Sequence, residues 1–216
     1  MPAFLLFTLL LSSPKLLAAS CPQNKNHTYS CQTAPKAMLD CMTDDLLGDR
    51  QKLKKQALQE DAFNKEVNEI ISKDILPSLD LEYMASHVIG RYNWKNSTEE
   101  EKKRFRSLFQ TIVTQEYSYF IRKVDNDNLI KLYPPRKVNK KSTAVYGLLQ
   151  DGGKSITVGF YLSCKEKEAS DTAWQIYDLT LDNISYLDQY RLQFAAIIRN
   201  SGLKGLNDKL EDMAKK

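Results

Sequence analysis

Histidine is nearly absent from this chain: His27 and His87 are the only two in 216 residues. His27 lies in a polar stretch, and His87 sits beside Val88 and Ile89, where a hydrogen-bonded structural role is the ordinary one. Neither belongs to a metal-ligand pattern, and the nine-residue gaps separating Cys21, Cys31 and Cys41 are not zinc spacing. There is no Gly-x-Ser-x-Gly elbow, no phosphate-binding glycine loop and no His-Glu-x-x-His. Those absences remove the usual signatures of serine hydrolases, nucleotide-binding enzymes and zinc proteases. Beyond the first twenty residues no apolar run is long enough to span a bilayer. Charge of one sign is lacking too: 31 basic residues stand against 27 acidic ones, for a formal net charge of +4. That mild excess decides little about partners. No internal repeat and no low-complexity segment is present.

What is present begins with an export signal. Phe4 to Leu11 is an apolar core, and Ala18-Ala19-Ser20 is a small-residue cleavage region. The segment before the apolar core has no Lys or Arg, and Lys15 follows it. The expected division is a signal peptide over 1–20, a cysteine-containing extension over 21–50, and one α+β domain over 51–216. Export favours disulfides among Cys21, Cys31, Cys41 and Cys164, with three pairings open. Cys164 also reads as a small buried side chain at the end of a strand. Cys21 directly after Ser20 raises lipid attachment as the lesser alternative. Ala18 stands where a lipobox favours Leu, and lipidation would leave an odd number of thiols.

Residues 21–35 read as a turn-rich arm. Helices are expected from Lys36 to Leu47, ending near Gly48, and from Gln51 to Lys73, broken by Pro77. Asp80 can cap a short helix from Leu81 to Ile89, closed by Gly90. The clearest helix runs from Thr98 to Lys123, with Ser97-x-x-Glu100 and Thr98-x-x-Glu101 as alternative capping boxes. Phe105, Leu108, Phe109, Ile112, Val113, Glu116, Phe120 and Ile121 make one broad, mostly apolar stripe on it.

Four strand candidates follow. Leu129 to Val138 is interrupted by Pro134-Pro135, so it is bent or at an edge. Ser142 to Leu149 leads to a hairpin turn at Asp151-Gly152-Gly153. Ser155 to Cys164 alternates, with Ile156, Val158, Phe160 and Leu162 on one face. Ala173 to Asp182 is the last strand, and Asp182-Asn183 is turn chemistry. Ser185 can cap a helix to Arg199, and another follows Gly202 from Leu203 to Ala214. Helices, then sequential hairpins, then helices give an α+β fold: a twisted antiparallel sheet of about four strands with helices on one face.

Two features could carry chemistry. Asp178 is the one acid embedded in an apolar strand. It could have a raised pKa and act as a base, or it could pair with Arg191 on the following helix. Breaking such a pair, if buried, would cost roughly 3–5 kcal/mol. Arg136, Lys137, Lys140 and Lys141 cluster, either as a solvated loop or as a patch for anionic headgroups or an acidic partner.

One ordered set of motifs goes further. It starts with Ile75-Leu76-Pro77, Leu81-Glu82-Tyr83-Met84, Val88-Ile89-Gly90-Arg91-Tyr92, Trp94 and Thr98-x-Glu100. It continues with Trp174-x-Ile176-Tyr177-Asp178, Ile184-Ser185, Tyr190-Arg191-x-Gln193-Phe194 and Gly202, with Leu206 and Leu210 behind it. In order and spacing, over residues 55–212, this resembles the MlaC family. These are periplasmic phospholipid-binding proteins, also known as toluene-tolerance auxiliary proteins. One departure is Asn93 between Tyr92 and Trp94, where the family has adjacent aromatics, so no role is carried onto Trp94.

The resemblance implies an apolar pocket between sheet and helices that holds lipid tails while the headgroup stays near solvent. It implies no cofactor and no enzyme activity. Partners would be phospholipid, an inner-membrane ABC transporter complex and an outer-membrane lipoprotein complex, in maintaining outer-membrane lipid asymmetry. The candidate lining is Phe105, Phe109, Ile112, Phe120, Val145, Val158, Phe160, Leu162, Ile176, Tyr177, Tyr190, Phe194 and Ile198. Periodicity alone favours a filled core for each of them, and it is the resemblance that turns them into candidate lining. Tyr190 is the candidate for the pocket mouth. The competing readings are a carrier of another apolar lipid, such as a hopanoid, and a small α+β hydrolase or isomerase using Asp178 or His87.

Overall fold

The computed structural model describes residues 29–56, 59–123, 130–151, 153–166 and 172–214. The expectations for the signal segment, Cys21 and His27 lie outside them. The element order is α1 (Pro35–Lys55), α2 (Glu60–Ile70), α3 (Leu81–Ile89), α4 (Arg91–Asn96), α5 (Glu99–Lys123), β1 (Ile130–Leu132), β2 (Arg136–Lys137), β3 (Ser142–Asp151), β4 (Lys154–Glu166), β5 (Thr172–Leu181), β6 (Ile184–Ser185) and α6 (Tyr186–Ala214). The strands form one antiparallel sheet in the order β1-β3-β4-β5-β6, with β2 also on β3. This is the α+β architecture expected from the sequence.

Local chemistry explains most boundaries. Asp80 Oδ1 accepts from Tyr83 N at 3.2 Å and caps α3. Gly90, at φ +81°, ends it in a conformation that disfavours a side chain. At α5 the Thr98 box forms: Thr98 Oγ1 accepts from Glu101 N, and Glu101 Oε2 accepts from Thr98 N. Asp182 and Asn183 both have positive φ, as a two-residue type I′ hairpin requires. Ser185 Oγ accepts from Asp188 N at 3.1 Å and caps α6. Gly202, at φ +64° and ψ −170°, breaks α6 at the expected place.

Three boundaries differ. The helix expected to stop near Gly48 runs on to Lys55. A lone glycine costs a helix only about 1 kcal/mol. The expected boundary at residue 50 therefore falls inside α1. The second helix is shorter: α2 passes into a π turn, Ile71–Ile75, and a 3₁₀ turn, Leu76–Ser78, around Pro77. The strand expected from Leu129 to Val138 is two pieces on β3, parted at Pro134-Pro135, where proline has no donor for the ladder.

The outer edge of β5 is covered by three unrelated segments, which protects it from pairing with other chains. β6 pairs Thr180 and Leu181. Leu79 bridges Ile176 in parallel, with Asp80 N donating to Ile176 O at 2.9 Å. Ser30 bridges Ala173, and the Cys31–Cys164 disulfide fastens this arm to β4. Cys41 is disulfide-bonded as well. Tyr29, Met38, Leu39 and Leu53 are buried in the same core as Val145, Leu162, Phe105 and Leu206. The described part of the N-terminal extension is thus packed into the domain.

Candidate functional site

A cavity lies between the sheet and the helices that cross it. Its floor is Val158 and Phe160 of β4, Ile176, Leu179 and Leu181 of β5, and Ile130 of β1. Its roof is Phe109 and Val113 of α5, Leu187 and Tyr190 of α6, and Met84 of α3. Glu116, Asp178 and Tyr186 complete the wall. The cross-strand register explains the floor, since Val158 faces Leu181 and Phe160 faces Leu179. The cavity volume is about 100 Å³, room for several waters.

The roof is held by aromatic rings. Phe109 meets Tyr190 edge-on at 5.8 Å, and Phe105 stacks on Phe109 at 5.5 Å. Phe194 meets Phe105 at 6.4 Å and Tyr190 at 5.7 Å. Such pairs add about 0.5–1.5 kcal/mol each beyond their buried area. They join α5 to α6 over the cavity. Burial first, then the Glu116 carboxylate beside it, pushes the Tyr190 phenol well above its ordinary range. The Tyr186 phenol is raised for the same two reasons. Glu116 itself is exposed, so this corner marks where cavity meets solvent.

Asp178 does not pair with Arg191. Ser185 Oγ donates to its Oδ2 at 2.7 Å, and Leu179 N donates to its Oδ1 at 2.9 Å. Leu187 N, at the start of α6, lies 3.4 Å from Oδ1. Burial raises the Asp178 pKa, while these donors pull the other way. A carboxylate at a helix N-terminus is also favoured by the helix dipole. Arg191 is exposed and lies across the groove beside Gly90 and Arg91 instead. The sequence placed both residues near the β5–α6 corner, but a hydroxyl and backbone amides outcompete the guanidinium.

Of the candidate lining residues, Phe109, Val158, Phe160, Ile176 and Tyr190 face the cavity. Phe105, Val145, Leu162, Phe194 and Ile198 are packed into the solid core instead, and Ile112 packs against it half-buried. The Phe120 side chain lies outside the described residues. Tyr177 is an extra residue in β5: Tyr161 pairs with Asp178, and Leu162 pairs with Ile176. This bulge places the Tyr177 ring against Tyr83 at 5.2 Å and Tyr161 at 6.1 Å, away from the cavity. Tyr161 in turn shares a 2.9 Å hydroxyl contact with Tyr146, which pushes its pKa up to about 12. The lining residues missed from sequence are Met84, Val113, Glu116, Ile130, Leu179, Leu181, Tyr186 and Leu187. Leu179 and Leu181 had a signal, because counting back from the Asp182-Asn183 turn places them opposite β4.

His87 is held outside the cavity, 3.1 Å from Asp188 Oδ1 and stacked on Tyr83 at 5.8 Å. Trp94 packs edge-on against Phe105, with Lys102 and Arg106 over its ring. Among the described residues no group of three or more His, Cys, Asp or Glu could hold a metal ion. No described helix is long and apolar enough to cross a membrane.

Residues 46–212 match the family model described as MlaC protein. A curated relative from Haemophilus influenzae is 22% identical over 189 residues, covering 87% of this chain and 85% of its own. It is named the intermembrane phospholipid transport system binding protein MlaC. A solved structure from Ralstonia solanacearum, a phospholipid-binding protein in complex with a phospholipid, superposes with a TM-score of 0.68 at 18% identity. That match covers 83% of this chain and 96% of the other.

Proposed function

The chain belongs to the MlaC family, whose members carry lipid and are not enzymes, and from that premise we propose that it is a periplasmic phospholipid carrier. It shuttles lipid between an inner-membrane transporter complex and an outer-membrane lipoprotein complex. The observation that carries this reading is the cavity. Its floor and most of its roof are apolar, and its exposed acid, Glu116, stands at one corner beside two tyrosines. Acyl tails need dry surface without direction, at roughly 25 cal/mol per Å² buried. A headgroup needs water. The arrangement offers both and requires no cofactor.

The names of the two relatives support the same ligand class. The Cys31–Cys164 bond suits an oxidising compartment, in line with the signal-like segment over 1–20. Asp178 borders the cavity, yet its oxygens are engaged by Ser185 and backbone amides, which suits a structural cap better than a proton acceptor. At about 100 Å³ the cavity is smaller than the roughly 300–1,000 Å³ of pockets that hold drug-sized ligands, so loading two acyl tails requires the roof of α5 and α6 to move away from the sheet.

The test is extraction of the exported protein, purified without detergent, into organic solvent for mass spectrometry. Phospholipid is expected at a fixed ratio to protein. A hopanoid or other apolar lipid in its place would reassign the cargo. Failure both to co-purify lipid and to load it from vesicles would overturn the carrier reading.

A further inference from the structure

We propose that the β1–β2 edge of the sheet is a membrane-docking surface that recognises anionic phospholipid headgroups at a bilayer. Five cations, Lys131, Arg136, Lys137, Lys140 and Lys141, fall within residues 130–150, where there is no Asp or Glu. All five are exposed. None is ion-paired among the described residues. Tyr133 and Val138 are interspersed with them at 38% and 48% exposure. Basic side chains around an aromatic and an aliphatic tip are the chemistry of an interfacial contact: charge meets phosphate, and the tips enter the headgroup layer.

The patch is rigid. Val138 N and Asn139 N both donate to Ser142 O, at 3.0 and 3.2 Å. Lys141 N donates to Asn139 Oδ1 at 2.9 Å, and Thr143 Oγ1 donates to Arg136 O at 2.9 Å. The Arg136 guanidinium lies over the Tyr146 ring, 5.8 Å from its centre. Little backbone entropy is then lost on docking.

An acidic protein is the weaker occupant. Pro134-Pro135 interrupts the edge, which spoils it for an added strand. Tyr133 and Val138 are its exposed large apolar side chains among the described residues, where protein interfaces are dominated by clusters of aromatic and aliphatic anchors.

This inference deepens the carrier reading, but the two can fail separately. The exported protein is floated with vesicles of phosphatidylcholine alone and of phosphatidylcholine mixed with phosphatidylglycerol. Wild type should bind the mixed vesicles, release them as salt rises, and ignore the neutral ones. Each basic residue near an anionic leaflet strengthens binding about fivefold. The R136Q/K137Q/K140Q/K141Q variant should therefore lose at least about tenfold, with melting temperature and phospholipid loading unchanged. K103Q/K209Q, which removes two exposed helix lysines, should bind as wild type does. Equal or absent wild-type binding to both vesicle types overturns the proposal. So does a quadruple variant that floats normally, whether or not it loses capture by an acidic protein. A wild type that floats but never loads phospholipid would instead sink the carrier reading alone.

Discussion

Ser185 Oγ donates to Asp178 Oδ2 at 2.7 Å and itself accepts from Asp188 N at 3.1 Å. One hydroxyl thereby ties the last long strand to the first turn of α6. Ser185→Ala removes a helix cap and leaves a half-buried carboxylate short of a donor. It should cost about 1–2 kcal/mol in urea unfolding. Arg191→Ala should stay within about 0.5 kcal/mol, as exposed substitutions do. The opposite ranking would restore the guanidinium as the partner of Asp178.

Asp178 should also shape the pH dependence of stability. Its folded pKa lies above the ordinary 3.8, with burial as the largest cause. The folded state therefore holds this proton more tightly than the unfolded chain does. The stability it contributes is fully present below 3.8 and is lost as pH rises through the folded value. Thermal melts of wild type and Asp178→Asn across the acid range should show the wild type losing ground to the variant as pH rises. Parallel curves would mean that the hydrogen bonds cancel burial.

The Cys31–Cys164 bond closes a separation of 133 residues. In the chain-entropy account its removal from the folded protein costs roughly 3–5 kcal/mol. Cys31→Ser/Cys164→Ser should lower the urea midpoint accordingly. It should also raise hydrogen exchange at Trp174 N, which donates to Tyr29 O at 2.9 Å. An unchanged Trp174 amide would show that the arm holds its place without the disulfide.

Val158 and Leu162 share a face of β4, but Val158 borders the cavity and Leu162 is in the filled core. Leu162→Ala should cost about 2–5 kcal/mol and lower the melting temperature. Val158→Phe adds bulk where space exists. It should reduce phospholipid loading, measured by extraction, more than it lowers the melting temperature. Equal losses of both at Val158 would make it a plain core position.

The candidate site was legible only in part. The α5 stripe and the alternation of β4 identified Phe109, Val158 and Phe160, because period and burial go together within one element. They equally identified Phe105 and Leu162, which face the same way and meet other side chains in place of open space. Tyr177 was misplaced for a different reason. Strict alternation along β5 breaks at the bulge opposite Tyr161, and no residue type at that position announces it.

The sequence by itself determined the elements whose causes are local. Asp80, Thr98 and Ser185 cap helices. Gly90 and Gly202 stop or break them, Asp182-Asn183 turns a hairpin, and Pro134-Pro135 divides a strand. Each depends on groups a few residues apart, so a short window contains the whole interaction. Tertiary structure alone decided which cysteine Cys31 meets, which donors hold Asp178, and which apolar side chains border a cavity rather than a core. Those outcomes are competitions between groups distant in the chain, and geometry at the meeting point sets the winner. Asp178 shows this most plainly: Arg191 is close in sequence and opposite in charge, but a serine and two backbone amides stand nearer.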